Sequence, residues 1–221
     1  ISKISRDDYS SENFKFGTGK YVEINGTKVW AQRLSYVGEL GFELYVKTQN
    51  AKKLYNSIIK EGRNYKLSHC GMHAMDIMRM ESGFLHWGHD ISPEENQFQA
   101  GLNFAVNFKK ETDFIGKDAL LKIKDQKLSK RLVMLSIKDS NPGNPLPLHD
   151  EPIYLENKII GNTTSGNYSF NYNKNLSFGY INTELSNEEL INKNLYIEIE
   201  KKKYPAVLEI SSLKNKNIRF S

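Results

Sequence analysis

Residues 33–46 decide the fold class, and they read Arg-Leu-Ser-Tyr-Val-Gly-Glu-Leu-Gly-Phe-Glu-Leu-Tyr-Val. Two short β patterns flank a tight turn that has Gly38 and Gly41 on either side of Glu39-Leu40. Glycine permits a positive φ and a close approach of backbone or ligand. A carboxylate held at such a turn can accept two parallel N–H donors from a planar heterocycle, and Tyr36 can pack against its face. The same spacing also fits an ordinary hairpin with an exposed Glu39.

The flanking sequence predicts an antiparallel sheet around this turn. The segments Tyr21–Ile24 and Val29–Tyr36 are joined by Asn25-Gly26, which is a strong hairpin signal, and Phe42–Val46 is a third strand. Helical spacing follows over Ala51–Gly62, where Gly62 suits the position just after the helix.

A second helix is predicted from Met72 to Ser82, with Gly83 as its stop. Four of the five methionines lie in or beside it, which is typical of core filler. Three charged residues interrupt its apolar surface, and such charges are usually paired or serve a site. One of them, Arg79, can either bridge to a carboxylate or anchor a ligand.

The pattern changes near residue 128. Before it, Asn103–Phe108 alternates as a strand and Asp118–Lys124 is a short helix. After it, short strands recur with turn residues between them, which predicts a small antiparallel sandwich or open barrel. These strands are Arg131–Ile137, Ile153–Leu155, Ile159–Gly161, Ser177–Ile181, Leu195–Ile199 and Tyr204–Ile210. We therefore predict two domains, residues 1–128 and 129–221.

Composition argues against several classes of function. The net charge is +5, but the lysines are scattered along the chain, so we expect no nucleic-acid partner. No apolar run is long enough to span a membrane, so none is expected, and we predict a cytoplasmic location. The single cysteine, Cys70, adjoins an apolar helix and is predicted to be buried and unreactive.

Histidine clusters and common catalytic motifs offer no convincing centre. The groups His69-Cys70 with His73, and His86 with His89-Asp90, lack the paired ligand spacing of an established metal site, so no metal is predicted. The sequence has no P-loop, no dinucleotide fingerprint and no nucleophile elbow. No catalytic residue is therefore assigned within this chain.

Several motifs in order resemble the aminomethyltransferase family, that is, the glycine cleavage T-protein and its relatives. The resemblance lies in residues 33–43, 71–83, 84–91, 100–102 with 114–120, and then 161–166 with 178–181. It implies an α+β fold: a truncated T-protein-like folate-binding domain followed by a small antiparallel β-barrel. It also implies that tetrahydrofolate is the cofactor, that Glu39 recognises the pterin and that Arg79 supports the folate site. Tyr36 is a less specific assignment to the same site.

Within the family, the amino-acid sequence of these motifs resembles the C-terminal folate-binding region of dimethylglycine and sarcosine dehydrogenases. That resemblance implies a parent flavoprotein whose FAD domain, like an N-terminal folate lobe, lies outside this chain. The alternatives are a glycine-cleavage aminomethyltransferase or a related folate-dependent demethylase, and a non-catalytic folate-binding or interaction module. One departure is that Asn96-Gln97-Phe98-Gln99 stands where the family usually has Thr-Pro-x-Glu, which places a local polar contact in doubt.

Overall fold

The structure, a computed structural model, describes residues 1–213. These residues form two compact units, Ile1–Met75 and Asp76–Leu213, each of which is described by itself. The division at residue 75 differs from the domain boundary at residue 128, which remains a prediction from the sequence.

The first unit contains a three-stranded antiparallel sheet of β1 (Gly19–Ile24), β2 (Thr27–Gln32) and β3 (Glu43–Tyr45), in the order β1-β2-β3. Asn25 and Gly26 close the β1–β2 hairpin with φ angles of 47° and 70°. A two-residue hairpin turn of type I′ requires a positive φ at both central residues. The hairpin prediction is therefore confirmed. β2 ends at Gln32, earlier than predicted, because residues 33–42 form the turn that leads to β3.

One face of this sheet packs against α1 (Thr48–Gly62) and the N-terminal segment. Gly62 is the last residue of the helix with φ −61°, and the left-handed residue is Lys66, at φ 54°. The predicted role of Gly62 after the helix is therefore wrong. Glycine is needed there because a Cβ would lie 2.6 Å from the Leu67 side chain. The buried core of this unit is Phe14, Val22, Ile24, Val29, Ala31 and Leu54.

The helix α2 (Met72–Glu81) ends as predicted at Gly83, which has φ 74°. The Gly83 N–H donates to Met80 O (2.9 Å) and the Phe84 N–H donates to Arg79 O (2.9 Å), a typical glycine termination. The strand predicted over Asn103–Phe108 is wrong: Asn103–Ala105 form a short 3-10 turn instead. Its backbone bonds are local, from Ala105 to Leu102 O and from Val106 to Asn103 O. A short helix, α3 (Lys117–Ile123), follows Gly116.

A closed antiparallel barrel completes the second unit. Its strands are β4 (Lys130–Ile137), β5 (Pro152–Leu155), β6 (Lys158–Ser169), β7 (Lys174–Asn182), β8 (Leu195–Ile199) and β9 (Lys202–Glu209). They close in the order β4-β7-β6-β5-β8-β9, because β4 also pairs with β9. Closure removes the exposed edges that an open barrel would keep. The fold is thus a mixed α/β arrangement with a small antiparallel β-barrel, as the sequence predicts.

The barrel buries apolar side chains on both faces of β4 and β7. Its interior is lined by aliphatic residues such as Val133, Leu135, Ile153 and Ile197. A second cluster outside the barrel packs the end of α2 against the strands, through Ile77, Met80, Met134, Leu176 and Phe178. A further helix, α4 (Asn187–Ile191), was not predicted from the sequence. Its signal is the capping box that Ser186 and Glu189 form at its start.

Candidate functional site: a glycine-flanked turn and a buried arginine network

The turn between β2 and β3 presents Glu39 to solvent on a constrained backbone. Gly38 is buried with φ 72°, a conformation that few other residues adopt. A Cβ on Gly41 would lie 2.6 Å from the Leu34 carbonyl oxygen, so only glycine lets the chain pass there. Glu39 is exposed and Tyr36 is half-buried. The turn therefore holds a carboxylate outward on a backbone that has little freedom to move.

A buried arginine anchors the start of this turn. Arg33 donates from Nη1 to Phe14 O (2.6 Å) and from Nη2 to Ser11 Oγ (2.9 Å). Its backbone N–H also donates to Thr18 O (2.9 Å). These bonds attach the turn to the N-terminal segment. The sequence analysis quoted Arg33 only as part of the motif and missed this role.

In the second unit, Arg79 is fully buried, with 0% of its surface exposed. Its Nε and Nη2 donate to Asp76 Oδ1 (2.9 and 2.6 Å), and Nη2 also donates to Ser165 Oγ (2.7 Å). Nη1 donates to Phe84 O (3.1 Å) and to Asp90 Oδ2. A guanidinium has five N–H groups, and these contacts occupy all five. Arg79 therefore has no donor left for a ligand.

Asp90, also fully buried, is the second centre of this network. Its Oδ1 accepts from Thr164 Oγ1 (2.6 Å) and Ser165 Oγ (2.8 Å) on β6. Its Oδ2 accepts from the His86 N–H (2.9 Å) and from Arg79. The sequence analysis considered Asp90 only as a metal ligand and missed this structural role. No local pattern signalled it, because the groups that bond to Asp90 on β6 are distant in the sequence.

The network fixes the loop of residues 84–91 to the barrel. Within the loop, the Gly88 N–H donates to Ile91 O (2.8 Å) and the Asp90 N–H donates to His86 O (2.8 Å). The loop projects Trp87, which is 66% exposed, and brings the rings of His86 and His89 to 4.4 Å. Residues 1–213 contain no group of three or more His, Cys, Asp or Glu side chains placed to hold a metal ion.

The third charged residue of α2, Glu81, is also buried and partnered. It accepts from Ser169 Oγ (2.5 Å) and from Asn171 Nδ2 (2.8 Å), both at the end of the β6–β7 hairpin. Asp76, Arg79 and Glu81 thus all bond to neighbouring protein groups. The helix uses its charges to attach its end to the barrel, which is the pairing that the sequence offered as one alternative.

A second polar cluster surrounds Tyr180. Lys130 lies 4.8 Å from its ring centre and donates to Glu95 Oε1 (2.9 Å). Burial, with the nearby carboxylates of Glu95 and Asp90, strongly raises the pKa of the Tyr180 phenol, which stays neutral. Burial also opposes the charge on Glu95, but hydrogen bonds from Lys130 and Ser92 outweigh it and lower the pKa of Glu95.

Gln99, which stands where the family usually has glutamate, makes a local hydrogen-bond pattern with Asn96. The Asn96 Oδ1 accepts from the Gln99 N–H (3.0 Å), and the Gln99 side-chain oxygen accepts from the Asn96 N–H (3.0 Å). This is the reciprocal pattern of a capping box, which glutamine supports as well as glutamate does. Asn96 and Gln99 therefore make the local polar contact without a charged side chain.

The predicted site residues fall in different units: Tyr36 and Glu39 belong to the first, and Arg79 belongs to the second. Cys70 is exposed, so the prediction of a buried thiol is wrong. Residues 63–73 between α1 and the first turn of α2 are all exposed, which leaves the thiol without the apolar cover that its neighbours suggested. Among the described residues, no helix is both long and apolar enough to cross a membrane.

Comparison with known proteins assigns these features to one family. Residues 1–110 match the GCVT N-terminal domain, and residues 130–212 match the glycine cleavage T-protein C-terminal barrel domain. The chain is 36% identical to mitochondrial dimethylglycine dehydrogenase from Homo sapiens over 94% of its own length and 23% of that enzyme. It is 35% identical to an aminomethyltransferase from Listeria welshimeri over 93% of its length and 54% of that enzyme.

A solved structure shows the same fold. The crystal structure of aminomethyltransferase T of the glycine cleavage system from Bartonella henselae superposes with a TM-score of 0.75 and 23% identity, covering 90% of this chain and 52% of that one. The chain thus spans about a quarter of the dehydrogenase and about half of the aminomethyltransferases. Both matched domains and the shared architecture lead to one conclusion: the chain belongs to the glycine cleavage T-protein family.

Proposed function

We propose that this chain is the tetrahydrofolate-binding part of a folate-dependent one-carbon enzyme that resembles dimethylglycine dehydrogenase. The observation that carries the proposal is the 36% identity with the human dehydrogenase, which extends over 94% of this chain. The chain spans only 23% of that enzyme. We propose that the remainder comprises an N-terminal folate lobe and an FAD domain.

The proposed contact with the pterin lies at the β2–β3 turn. Glu39 is exposed on a constrained backbone, and its carboxylate can accept the two parallel N–H donors of a pterin's amino-pyrimidinone edge. Tyr36, three residues earlier, offers a half-buried aromatic ring. Tetrahydrofolate, when bound, supplies the nitrogen that takes up the one-carbon unit. Glu39 orients the ring system, because fixing two reactants in a productive geometry lowers the barrier.

The role that we propose for Arg79 is indirect. All five of its N–H groups bond to protein acceptors, so we propose that it orders the second unit and does not itself bind folate. Through Asp90 it holds the loop of residues 84–91, which presents Trp87 and two histidines.

An aminomethyltransferase is the second candidate function. It is favoured by 35% identity with the Listeria welshimeri enzyme, of which this chain spans 54%. In that case the protein lacks the flavin chemistry. A non-catalytic folate-binding module is a third alternative. The cytoplasmic location also remains a prediction, since the human relative is a mitochondrial enzyme.

The test uses the complete gene product that contains this chain. An absorption spectrum and a calorimetric titration with tetrahydrofolate are recorded, together with turnover of dimethylglycine. We expect a stoichiometric flavin spectrum, saturable folate binding, and less free formaldehyde when folate is present. Folate binding without flavin, with methylene transfer, would support the aminomethyltransferase instead. Absence of folate binding would refute the proposal.

A further inference from the structure

Residues 8–18, the bracing segment, hold the start of the β2–β3 turn. Two hydrogen bonds run from the Arg33 guanidinium to this segment, one to Phe14 O (2.6 Å) and one to Ser11 Oγ (2.9 Å). The backbone carbonyl of Arg33 also accepts from the Gly17 N–H (2.9 Å). Arg33 is only 3% exposed, and hydrogen bonds in such a buried setting are stronger than in water. The first residue of the turn is therefore fixed through both its backbone and its side chain.

The bracing segment also contacts the end of the turn. The Phe42 ring packs against Phe14, with the ring centres 5.2 Å apart. It also packs edge-to-face against Tyr9, with the ring centres 5.5 Å apart. Between the two ends, Gly41 passes so close to Leu34 that a Cβ on the glycine would lie 2.6 Å from the Leu34 carbonyl oxygen. Both ends of the turn thus rest on one segment and lie close to each other.

Local hydrogen bonds order the bracing segment itself. The Asp8 carboxylate accepts from the Ser10 N–H (2.8 Å) and from Asn13 Nδ2 (2.6 Å). The Phe14 N–H donates to Ser10 O (2.8 Å), and the Lys20 ammonium on β1 donates to Asp8 O (2.9 Å). The backbone carbonyl that accepts from the buried guanidinium therefore belongs to an ordered turn that is also attached to the sheet.

We propose that Arg33 is a positioning residue for Glu39 and that it acts through the bracing segment. This inference rests on the proposed function, because it takes the Glu39 carboxylate to accept the paired N–H donors of a pterin. Two parallel hydrogen bonds to a planar edge tolerate little error in the direction of the carboxylate. A binding group on a loop must be held to within about 0.5 Å by its supporting residues. Both terminal nitrogens of Arg33 bond to the bracing segment, so Arg33 affects the ligand only through Glu39.

A double-mutant cycle in the complete gene product tests this role, with calorimetric titration of tetrahydrofolate as the readout. Arg33→Lys keeps the charge but cannot make both side-chain bonds. Ser11→Ala removes only one of them, from an exposed residue, so the fold should be kept. Each should weaken folate binding about two- to tenfold, and neither should weaken it further when Glu39→Gln is already present. Losses that add in full to that of Glu39→Gln would overturn the proposal, because they would not pass through Glu39.

Hydrogen–deuterium exchange of the same proteins without folate measures the turn directly. In Ser11→Ala the backbone amides of residues 34–41 should exchange about threefold faster or more, because local opening of the turn becomes easier. The control is Ser57→Ala, which removes a hydrogen-bonding hydroxyl from α1 and should change neither the exchange of the turn nor folate affinity. Unchanged exchange of the turn in Ser11→Ala and Arg33→Lys would overturn the proposal.

The cycle also separates two kinds of failure. Unchanged folate affinity in Glu39→Gln would reject the proposed pterin contact, and the positioning role would fall with it. A loss of affinity in Glu39→Gln, without any loss in Ser11→Ala or Arg33→Lys, would reject only the role of Arg33.

Discussion

Arg79 and Asp90 form a fully buried ion pair, although the sequence separates them by eleven residues. The pair joins the end of α2 to the loop of residues 84–91, and Ser165 on β6 bonds to both side chains. Two buried charges are tolerated here because Asp76, Thr164 and backbone groups satisfy their remaining hydrogen-bonding groups. The loop and the barrel are thus attached through one shared set of bonds.

Removing one charge of this pair should destabilise the second unit. Asp90→Asn leaves the Arg79 guanidinium without its buried counterion on that side, and breaking such a pair costs about 3 kcal/mol or more. Urea unfolding at neutral pH measures the loss. The matched control is Asp150→Asn, since the His149–Asp150 pair is exposed and should change stability by less than about 0.5 kcal/mol. Equal stability in both variants would show that the network adds nothing to the fold.

The folate proposal makes a specific prediction for Glu39 in the complete protein. Glu39→Gln keeps the size of the side chain but turns one acceptor into a donor that faces donors. Folate affinity should fall about tenfold or more, and released formaldehyde should rise while amine oxidation survives. Glu43→Gln is the control, because Glu43 lies on β3 and bonds to Tyr45. Unchanged folate affinity in Glu39→Gln, with a normal melting temperature, would remove Glu39 from the site.

The lowered pKa of Glu95 predicts that the free energy of unfolding decreases at acidic pH. The pKa of Glu95 is lowered in the folded chain, since hydrogen bonds from Lys130 and Ser92 outweigh burial. The contribution of the Glu95 carboxylate to the free energy of unfolding is therefore fully present above its ordinary pKa of 4.5. It is lost as the pH falls through the lower pKa of the folded state. Urea unfolding of the native chain and of Glu95→Gln should differ most at neutral pH and converge in acid. A difference that stays constant with pH would contradict this assignment.

Gly161 should be essential for closing the barrel. A Cβ at this position would lie 1.8 Å from the Tyr180 carbonyl oxygen on the neighbouring strand. Gly161→Ala must therefore push β6 away from β7, which we expect to cost about 1–3 kcal/mol or more. Gly71→Ala is the control, because a Cβ there meets nothing within 4 Å. Near-native unfolding of Gly161→Ala, measured by circular dichroism, would show that the strands adjust without loss.

Cys70 should react with a thiol reagent without unfolding. The structure exposes it between α1 and α2, contrary to the burial that the sequence indicated. Titration of the native chain with a colorimetric thiol reagent should modify one thiol per chain, at a rate that denaturant increases only slightly. Modification that requires denaturant would restore the original prediction of a buried thiol.

The sequence alone determined the features that depend on neighbouring residues. The Asn25-Gly26 hairpin and the end of α2 at Gly83 follow from local backbone geometry, which a few side chains settle. The series of short strands after residue 128 predicted a small antiparallel sandwich or open barrel, which the structure shows as a closed barrel. The ordered motifs indicated the family. Over Asn103–Phe108 the prediction rested only on the alternation of apolar and polar residues, and the predicted strand does not form.

Tertiary structure alone decided which polar groups are buried and what they bond to. Asp90 bonds to Thr164 and Ser165, which lie 74 and 75 residues away in the sequence, so no local pattern reveals them. Bonds to Asp76, Phe84, Asp90 and Ser165 likewise occupy every N–H donor of Arg79, and only the folded chain brings these acceptors together. Exposure of Cys70 was equally beyond local inference, because burial depends on which distant segments cover a residue and not on the residue's neighbours in the chain.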